Sequence, residues 1–368
     1  MAGIFAKTGK GKCYLFFLMA FLYCVILPAY STEVSDNDFS ILYYAARVIT
    51  SADHSPADVY AYHAPGVYGT ENDYPYTYSV LAAHLVSPLA LMPFRAAKLL
   101  WSVLVVLFYF AAYFLSLRII QPPARYERLL VLIAPLWIPF LVEARQTQSD
   151  SLMFLLVVLA VLAAVRGSPY FSGSLLALAA LFKLWPIAVA MVFGLKNWRV
   201  FVACMVVFGA SFLVPGSPAW FGSLLHTSAT LPRPELYSPV LILLKGWFWL
   251  YLAVIPAVTA LLVWRYPETD YPLMLSISLA AVFLIMPVNE YFHYVPLIFP
   301  LIYLLGRIPL PYVGLLYILL CAVTPRPLNV VSAAVFCGLY LIWGTLAYCM
   351  VKKKVASPAG SDNELTIS

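Results

Sequence analysis

Two aspartates two residues apart, Asp36 and Asp38, follow the first long apolar segment, and Asp38 opens the stretch Asp38-Phe39-Ser40-Ile41-Leu42-Tyr43-Tyr44-Ala45-Ala46-Arg47. A carboxylate held where a helix leaves a membrane can take a proton from a hydroxyl. The same residue type also caps a following helix, and Asp36-Asn37-Asp38 has the short form of a DxD motif, which holds a divalent ion against a diphosphate. A second candidate is Lys183, in Phe182-Lys183-Leu184-Trp185-Pro186 within an otherwise apolar run. An ionisable residue at membrane depth marks a functional site by default, although a lysine there can instead snorkel to the surface. His293 and its neighbour Glu290 lie between two apolar runs, as do Arg145, Gln148 and Asp150.

The elements that must position these groups are hydrophobic. Of 368 residues, 63% are hydrophobic and only 10% are charged, with a mean hydropathy of +0.89. That charge content is far below the roughly 25% of soluble domains. The chain therefore reads as an all-α, polytopic membrane bundle. The six cysteines all fall in apolar segments with no CxxC pair and no metal-ligand spacing, which suits small packing residues. There is no GxGxxG, no P-loop and no nucleotide-binding domain.

Apolar runs of spanning or near-spanning length lie near 13–30, 99–118, 129–142, 150–165, 200–215, 239–264, 272–287, 295–306, 311–323 and 330–351. A further stretch, 171–195, is interrupted at Lys183-Leu184-Trp185-Pro186, where proline removes a backbone donor and disfavours helix just before it. Two short helices meeting at Lys183 are expected there, within a bundle of about ten to twelve membrane-spanning helices. With that break, Lys7/Lys10/Lys12, Arg118/Arg125/Arg128, Arg166, Lys196/Arg199, Arg265, Arg307 and Lys352/Lys353/Lys354 fall on one side. The positive-inside rule makes that side the cytoplasm and keeps both termini there, in a plasma-membrane protein whose acids gather outside. Residues 1–351 form one transmembrane domain on this reading, followed by a polar, disordered cytoplasmic tail at 352–368.

The outer side carries one large loop, 31–98, with acids at Glu33, Asp36, Asp38, Asp53, Asp58, Glu71 and Asp73. Two parts of it, Phe39 to Ile49 and Ser79 to Met92, are apolar enough to lie as helices on the membrane. The tyrosines between and within them, among them Tyr60, Tyr74, Tyr76 and Tyr78, fit either an interfacial belt or a platform for sugar rings.

Several segments resemble glycosyltransferase family 87, multi-spanning enzymes of the C-type glycosyltransferase superfamily. They are Asp38-Phe39, Tyr43-Tyr44-Ala45-Ala46, Tyr60, Tyr74-Pro75-Tyr76, Pro88-Leu89-Ala90-Leu91-Met92-Pro93 and Leu100-Trp101. Thr147-Gln148-Ser149-Asp150 is similar to the family's Gly-Gln pattern, with Thr147 where glycine is usual. Gly173 to Lys183-Leu184-Trp185-Pro186 and Trp198-Arg199 resemble its lysine-x-x-proline segment and following basic turn, and Tyr237-Ser238-Pro239 its serine-containing loop. Met286-Pro287 through His293 is similar to a Ser-Pro…Trp…His pattern, with Met286 and Glu290 replacing serine and tryptophan.

The resemblance implies transfer of a sugar, mannose first, from a polyprenyl-phosphate carrier to a hydroxyl of a glycolipid or glycan on the extracytoplasmic face, with inversion. It implies Asp38 as general base, with Asp36 the nearest rival, and Lys183, His293 and Arg145 on the donor phosphate. Contacts to substrate are expected at Asp36, Tyr43, Tyr74, Tyr76, Gln148, Asp150 and Ser238. Glu290 either hydrogen-bonds sugar hydroxyls or is simply solvated. Arg47 and Arg95 suit anionic lipid headgroups.

No cofactor, required metal or nucleic acid is expected, and the partners are donor, acceptor and membrane lipids around a monomer. The competing reading is a lipid-linked-sugar transporter or flippase. Transporters often pair broken helices between repeats, whereas this chain has one such break, at Lys183, without a counterpart.

Overall fold

A computed structural model describes Tyr23 and residues 38–60, 76–220, 222–223, 248–286, 291–321 and 329–356, with the side chains of 38, 127, 248–249, 291–292, 329–333 and 353–356 left aside. The expected first span at 13–30, apart from Tyr23, lies outside this set, as do Asp36, Tyr74, Ser238, Glu290 and the chain beyond 356. Among the described residues the structure is helical, without a β-strand.

The two helices expected within 31–98 form, α1 at Asp38–Thr50 and α2 at Val80–Ala90. Ser79 caps α2 through a side-chain oxygen that accepts from the Ala82 N–H at 3.1 Å, a bond typically worth about 1 kcal/mol. The long helix α3, Phe94–Ile120, starts directly after Pro93. It and the stretch Ala334–Lys352 are long and apolar enough to cross a bilayer.

The run expected as one crossing at 129–142 is instead two helices, α4 at Glu127–Ile133 and α5 at Ile138–Gln146. Pro135 stands between them and cannot donate to the helical ladder. Side chains from elsewhere satisfy the carbonyls around the break: Tyr109 donates to Ala134 O at 2.8 Å, Tyr113 to Leu130 O at 2.5 Å and Tyr23 to Pro135 O at 2.7 Å.

Next come α6 at Asp150–Val165, α7 at Pro169–Ala180, α8 at Pro186–Lys196 and α9 at Trp198–Ala210. The interruption between α7 and α8 is the break expected at Lys183. The Ser79 N–H donates to Leu181 O at 3.1 Å, which places the break at the α2 end of the bundle. At the other end of α8, Lys196 donates to Thr269 O at 2.5 Å. Helices α7 and α9 cross closely at Gly173, where a Cβ would stand 2.2 Å from Val200 O.

Helix α10, Phe248–Arg265, leads to α11, Tyr271–Ile285. Asp270 caps α11 by accepting from the Leu273 N–H at 2.8 Å. Every residue of α11 from Pro272 to Leu284 is buried, so this helix is the centre of the core. A 3₁₀ turn at Tyr291–Leu297 follows, then α12 at Ile298–Leu304, α13 at Leu310–Cys321 and α14 at Asn329–Ala356. Helix α14 runs past the expected boundary at 351 because Lys352-Lys353-Lys354-Val355-Ala356 contains neither glycine nor proline to stop it. Cys204, Cys321, Cys337 and Cys349 are free thiols on these helices.

Candidate functional site

The site is assembled at three places where helices stop. The first is the turn between α5 and α6. Helix α5 ends at Gln146, and Thr147 takes a left-handed conformation, φ +54°, with its N–H bonded to Glu143 O. The indole N–H of Trp101 donates to Thr147 O at 2.9 Å and fastens the turn to α3. Glu143, fully buried, reaches across the turn. Its carboxylate accepts from the Ser151 N–H at 2.5 Å and from the Ser151 hydroxyl. It thereby caps α6 from the preceding helix and fixes Asp150 at the start of α6.

The second place is the α7–α8 break. Here the Lys183 ammonium donates to Asp150 Oδ2 at 2.6 Å. The third is the 3₁₀ turn after α11, which brings His293 Nδ1 to 2.9 Å from Lys183 Nζ and 3.5 Å from Asp150 Oδ1. The Asp150 side chain has no exposure, whereas Lys183 and His293 keep 16% and 13%. The carboxylate is therefore the inner wall, and the nitrogen groups form the accessible edge. On the turn just before Asp150, buried Gln148 Oε1 and Ser149 Oγ have no hydrogen-bond partner among the described residues. Buried polar atoms of this kind call for a ligand or water.

Of the residues singled out from sequence, Lys183, His293 and Asp150 thus come together, and Gln148 is buried on the turn two residues before Asp150. Arg145, on the last turn of α5, is exposed. Asp38 begins α1, and the next residue, Phe39, stacks on Trp101 with ring centroids 5.6 Å apart. The backbone of Asp38 is thereby linked through Trp101 to the Thr147 turn.

Tyr43 and Tyr76 are buried, Tyr60 is half-buried, and Tyr74 lies outside the described residues. Tyr43 is 2% exposed and donates to Met92 O at 2.7 Å, and Tyr76 is 3% exposed and donates to Ser79 O at 2.7 Å. Tyr43 also packs edge-on against Phe94 of α3, and Tyr76 packs against Tyr60 and Tyr78. Burial also pushes the phenols of Tyr60 and Tyr76 above their ordinary range, so both stay neutral.

Glu143 is the functional-site residue that the sequence reading passed over. The available signal was a carboxylate at the end of an apolar run, eight residues before a serine. Among the described residues no cluster of three or more His, Cys, Asp or Glu could hold a metal ion. What the arrangement can do is offer N–H donors to an anion at one edge and unpaired acceptors to hydroxyls beside it.

None of the curated proteins matches the chain. The model of glycosyltransferase family 87 matches residues 76–287, more than half of the sequence and the span that carries Glu143, Gln148, Asp150 and Lys183. Asp38 lies 38 residues before that span and His293 six after it. With that match, the chain belongs to glycosyltransferase family 87 and is a glycosyltransferase.

Proposed function

We propose that this protein is a multi-pass plasma-membrane enzyme that moves a sugar, with mannose the first candidate, from a polyprenyl-phosphate carrier to a glycolipid or glycan hydroxyl on the extracytoplasmic face. The observation that carries this reading is the cluster of Lys183 and His293 on fully buried Asp150 at a helix break. Irregular backbone at membrane depth is tolerated only where it is buried in protein or lines a cavity.

Two further features support a lipid-borne donor. Helix α8 begins three residues after Lys183 and runs beside an apolar cavity of about 400 Å³, whose lining includes Ala188, Met191, Leu195, Pro256, Ala281 and Ile285. The bundle also exposes large apolar side chains on several helices, among them Leu107, Leu132, Val206, Leu261 and Ile318, each 49–64% exposed. Apolar exposure on that scale suits lipid rather than water.

In the reaction, the acceptor hydroxyl oxygen attacks the anomeric carbon while Asp38 takes its proton. The bond from that carbon to the phosphate oxygen breaks with inversion, and the lipid phosphate departs to the Lys183–His293 edge. A carboxylate with an unperturbed pKa of about 3.9 can serve because deprotonation is concerted with attack. Gln148 and Asp150 hold sugar hydroxyls on this reading, with Asp36, Ser238 and Glu290 as further contacts. The protein acts as a monomer, its active site faces outward and both termini are cytoplasmic.

The test is transfer by purified protein in nanodiscs, supplied with a panel of radiolabelled polyprenyl-phosphate sugars and glycolipid acceptors. Wild type should transfer one of them, equally well in EDTA, and Asp38→Asn should lose at least about a thousandfold, the upper part of the usual range for a general base. Absence of transfer from every donor would sink the enzyme reading. An unchanged rate in Asp38→Asn would sink the base assignment, and movement of intact donor across the bilayer without transfer would favour a flippase.

A further inference from the structure

The contact between Lys183 Nζ and His293 Nδ1, at 2.9 Å, constrains where the protons lie. An ammonium carries three N–H donors and no acceptor, so a charged lysine can meet an imidazole nitrogen only where that nitrogen offers its lone pair. A neutral imidazole whose Nδ1 accepts must carry its proton on Nε2. The alternative moves the proton from lysine to histidine, leaving a neutral amine that accepts from Nδ1–H. The carboxylate decides between the two, because Asp150 Oδ2 lies 2.6 Å from Lys183 Nζ whereas Asp150 Oδ1 lies 3.5 Å from His293 Nδ1. Both distances keep the positive charge on Lys183.

We infer that Lys183 holds His293 in its Nε2–H form, which makes Lys183 a positioning residue and His293 Nε2–H the donor that meets the leaving phosphate. The inference rests on the reading of this site as a lipid-phosphate-sugar transferase.

The geometry suits that division. Asp150 is fully buried and pairs with the ammonium, so Asp150, Lys183 and His293 form a chain from the inner wall to the accessible edge. The two nitrogens of an imidazole point in roughly opposite directions, so Nε2–H is aimed away from Lys183. The chemistry also balances without a further proton. A phosphate monoester is a competent leaving group as an anion, with a second pKa of about 6. A neutral Nε2–H therefore stabilises the departing oxygen by a hydrogen bond and keeps its proton.

Nitrogen-15 magic-angle-spinning spectra of the full-length protein in nanodiscs, labelled at its five histidines, read the tautomer directly. His293→Gln, which removes one signal pair, supplies the assignment. In wild type, His293 Nδ1 should resonate as an unprotonated, pyridine-type nitrogen and Nε2 as a pyrrole-type one. In Lys183→Met the two should move towards each other as the tautomers exchange. A protonated Nδ1 in wild type, or an unmoved spectrum in Lys183→Met, overturns the inference.

Transfer assays give a second readout. The glutamine amide nitrogen in His293→Gln stands near the position of Nε2, whereas that in His293→Asn stands near Nδ1. His293→Gln should retain at least about tenfold more activity than His293→Asn, and equal loss would overturn the donor assignment. If wild type transfers no sugar at all, the proposed function fails, while the spectra still decide the tautomer.

Discussion

Asp150 and Lys183, 33 positions apart in the chain, meet at 2.6 Å where the start of α6 faces the break between α7 and α8. The contact explains why the break is stable. Helix ends leave unpaired carbonyls and N–H groups, and a side chain aimed away from a helix end has an uncertain place. Here the ammonium ties the break to a fully buried carboxylate, and Ser79 takes the Leu181 carbonyl.

Asp150→Asn should destabilise the protein by about 3 kcal/mol, because breaking a buried pair leaves the remaining charge uncompensated. The loss is placed at the lower end of the usual range because Lys183 is 16% exposed. Asp150→Leu combined with Lys183→Met removes both charges and should unfold at a higher temperature than Asp150→Leu alone, although it transfers no sugar. Thermal unfolding in detergent, followed by tryptophan fluorescence, measures both. A double variant no more stable than that single one would mean the two residues are not coupled.

Much of this arrangement is legible in residue order. Runs of apolar residues bounded by proline and basic clusters mark most helices, because burial and helix termination are local matters of side-chain type. The Lys183 break is legible for the same reason, with Pro186 three residues on. The α4–α5 break is hidden, although Pro135 and Pro139 carry the same signal, because the apolar residues on either side read as one span. Lys183, Asp150 and His293 each stand out as polar residues between apolar runs, but nothing local says that residues 110 positions apart touch. Tyr43 and Tyr76 show the opposite: composition suggests surfaces, whereas the packing of 38–90 buries both rings.

Glu143 should behave as part of the turn rather than as a group that meets substrate. Glu143→Gln keeps an acceptor for the Ser151 N–H and can donate its amide to the Ser151 hydroxyl, trading charge-assisted bonds for neutral ones, so a loss of about 1–2 kcal/mol is expected. Ser151→Ala should cost less, and the two changes together should cost less than their sum, since they cut the same bonds. A double-mutant cycle on unfolding temperature checks this; strict additivity would show that the cap does not hold the turn.

Thr147 is a β-branched residue at φ +54°, a conformation that costs an L-residue about 1–2 kcal/mol. Thr147→Gly should relieve that strain at the expense of greater freedom in the unfolded chain, for a net gain of up to about 1 kcal/mol. The Trp101 bond to the residue 147 carbonyl is unaffected, so transfer should be kept. Thr147→Ala relieves the branching alone and should gain less. Equal stabilities for the alanine and glycine variants, measured by calorimetry, would show that the left-handed turn carries no strain.

Gly173 sets how closely α7 can approach α9, and α7 leads into Lys183. A Cβ at this position would stand 2.2 Å from Val200 O and 2.9 Å from Cys204 N, both backbone atoms that cannot rotate aside. Gly173→Ala must therefore push the helices apart, at a cost of about 1–3 kcal/mol. Because the displaced helix carries Lys183 at its end, sugar transfer should fall even at temperatures where the variant stays folded. Gly209, on α9 with nothing within 4 Å of the place a Cβ would take, is the matched control. Gly209→Ala should be neutral or gain up to about 1 kcal/mol from helix propensity alone. Parallel unfolding and transfer measurements on the two variants separate the crossing from the general effect of replacing a helical glycine. Similar behaviour of both would mean that the α7–α9 approach does not position the site.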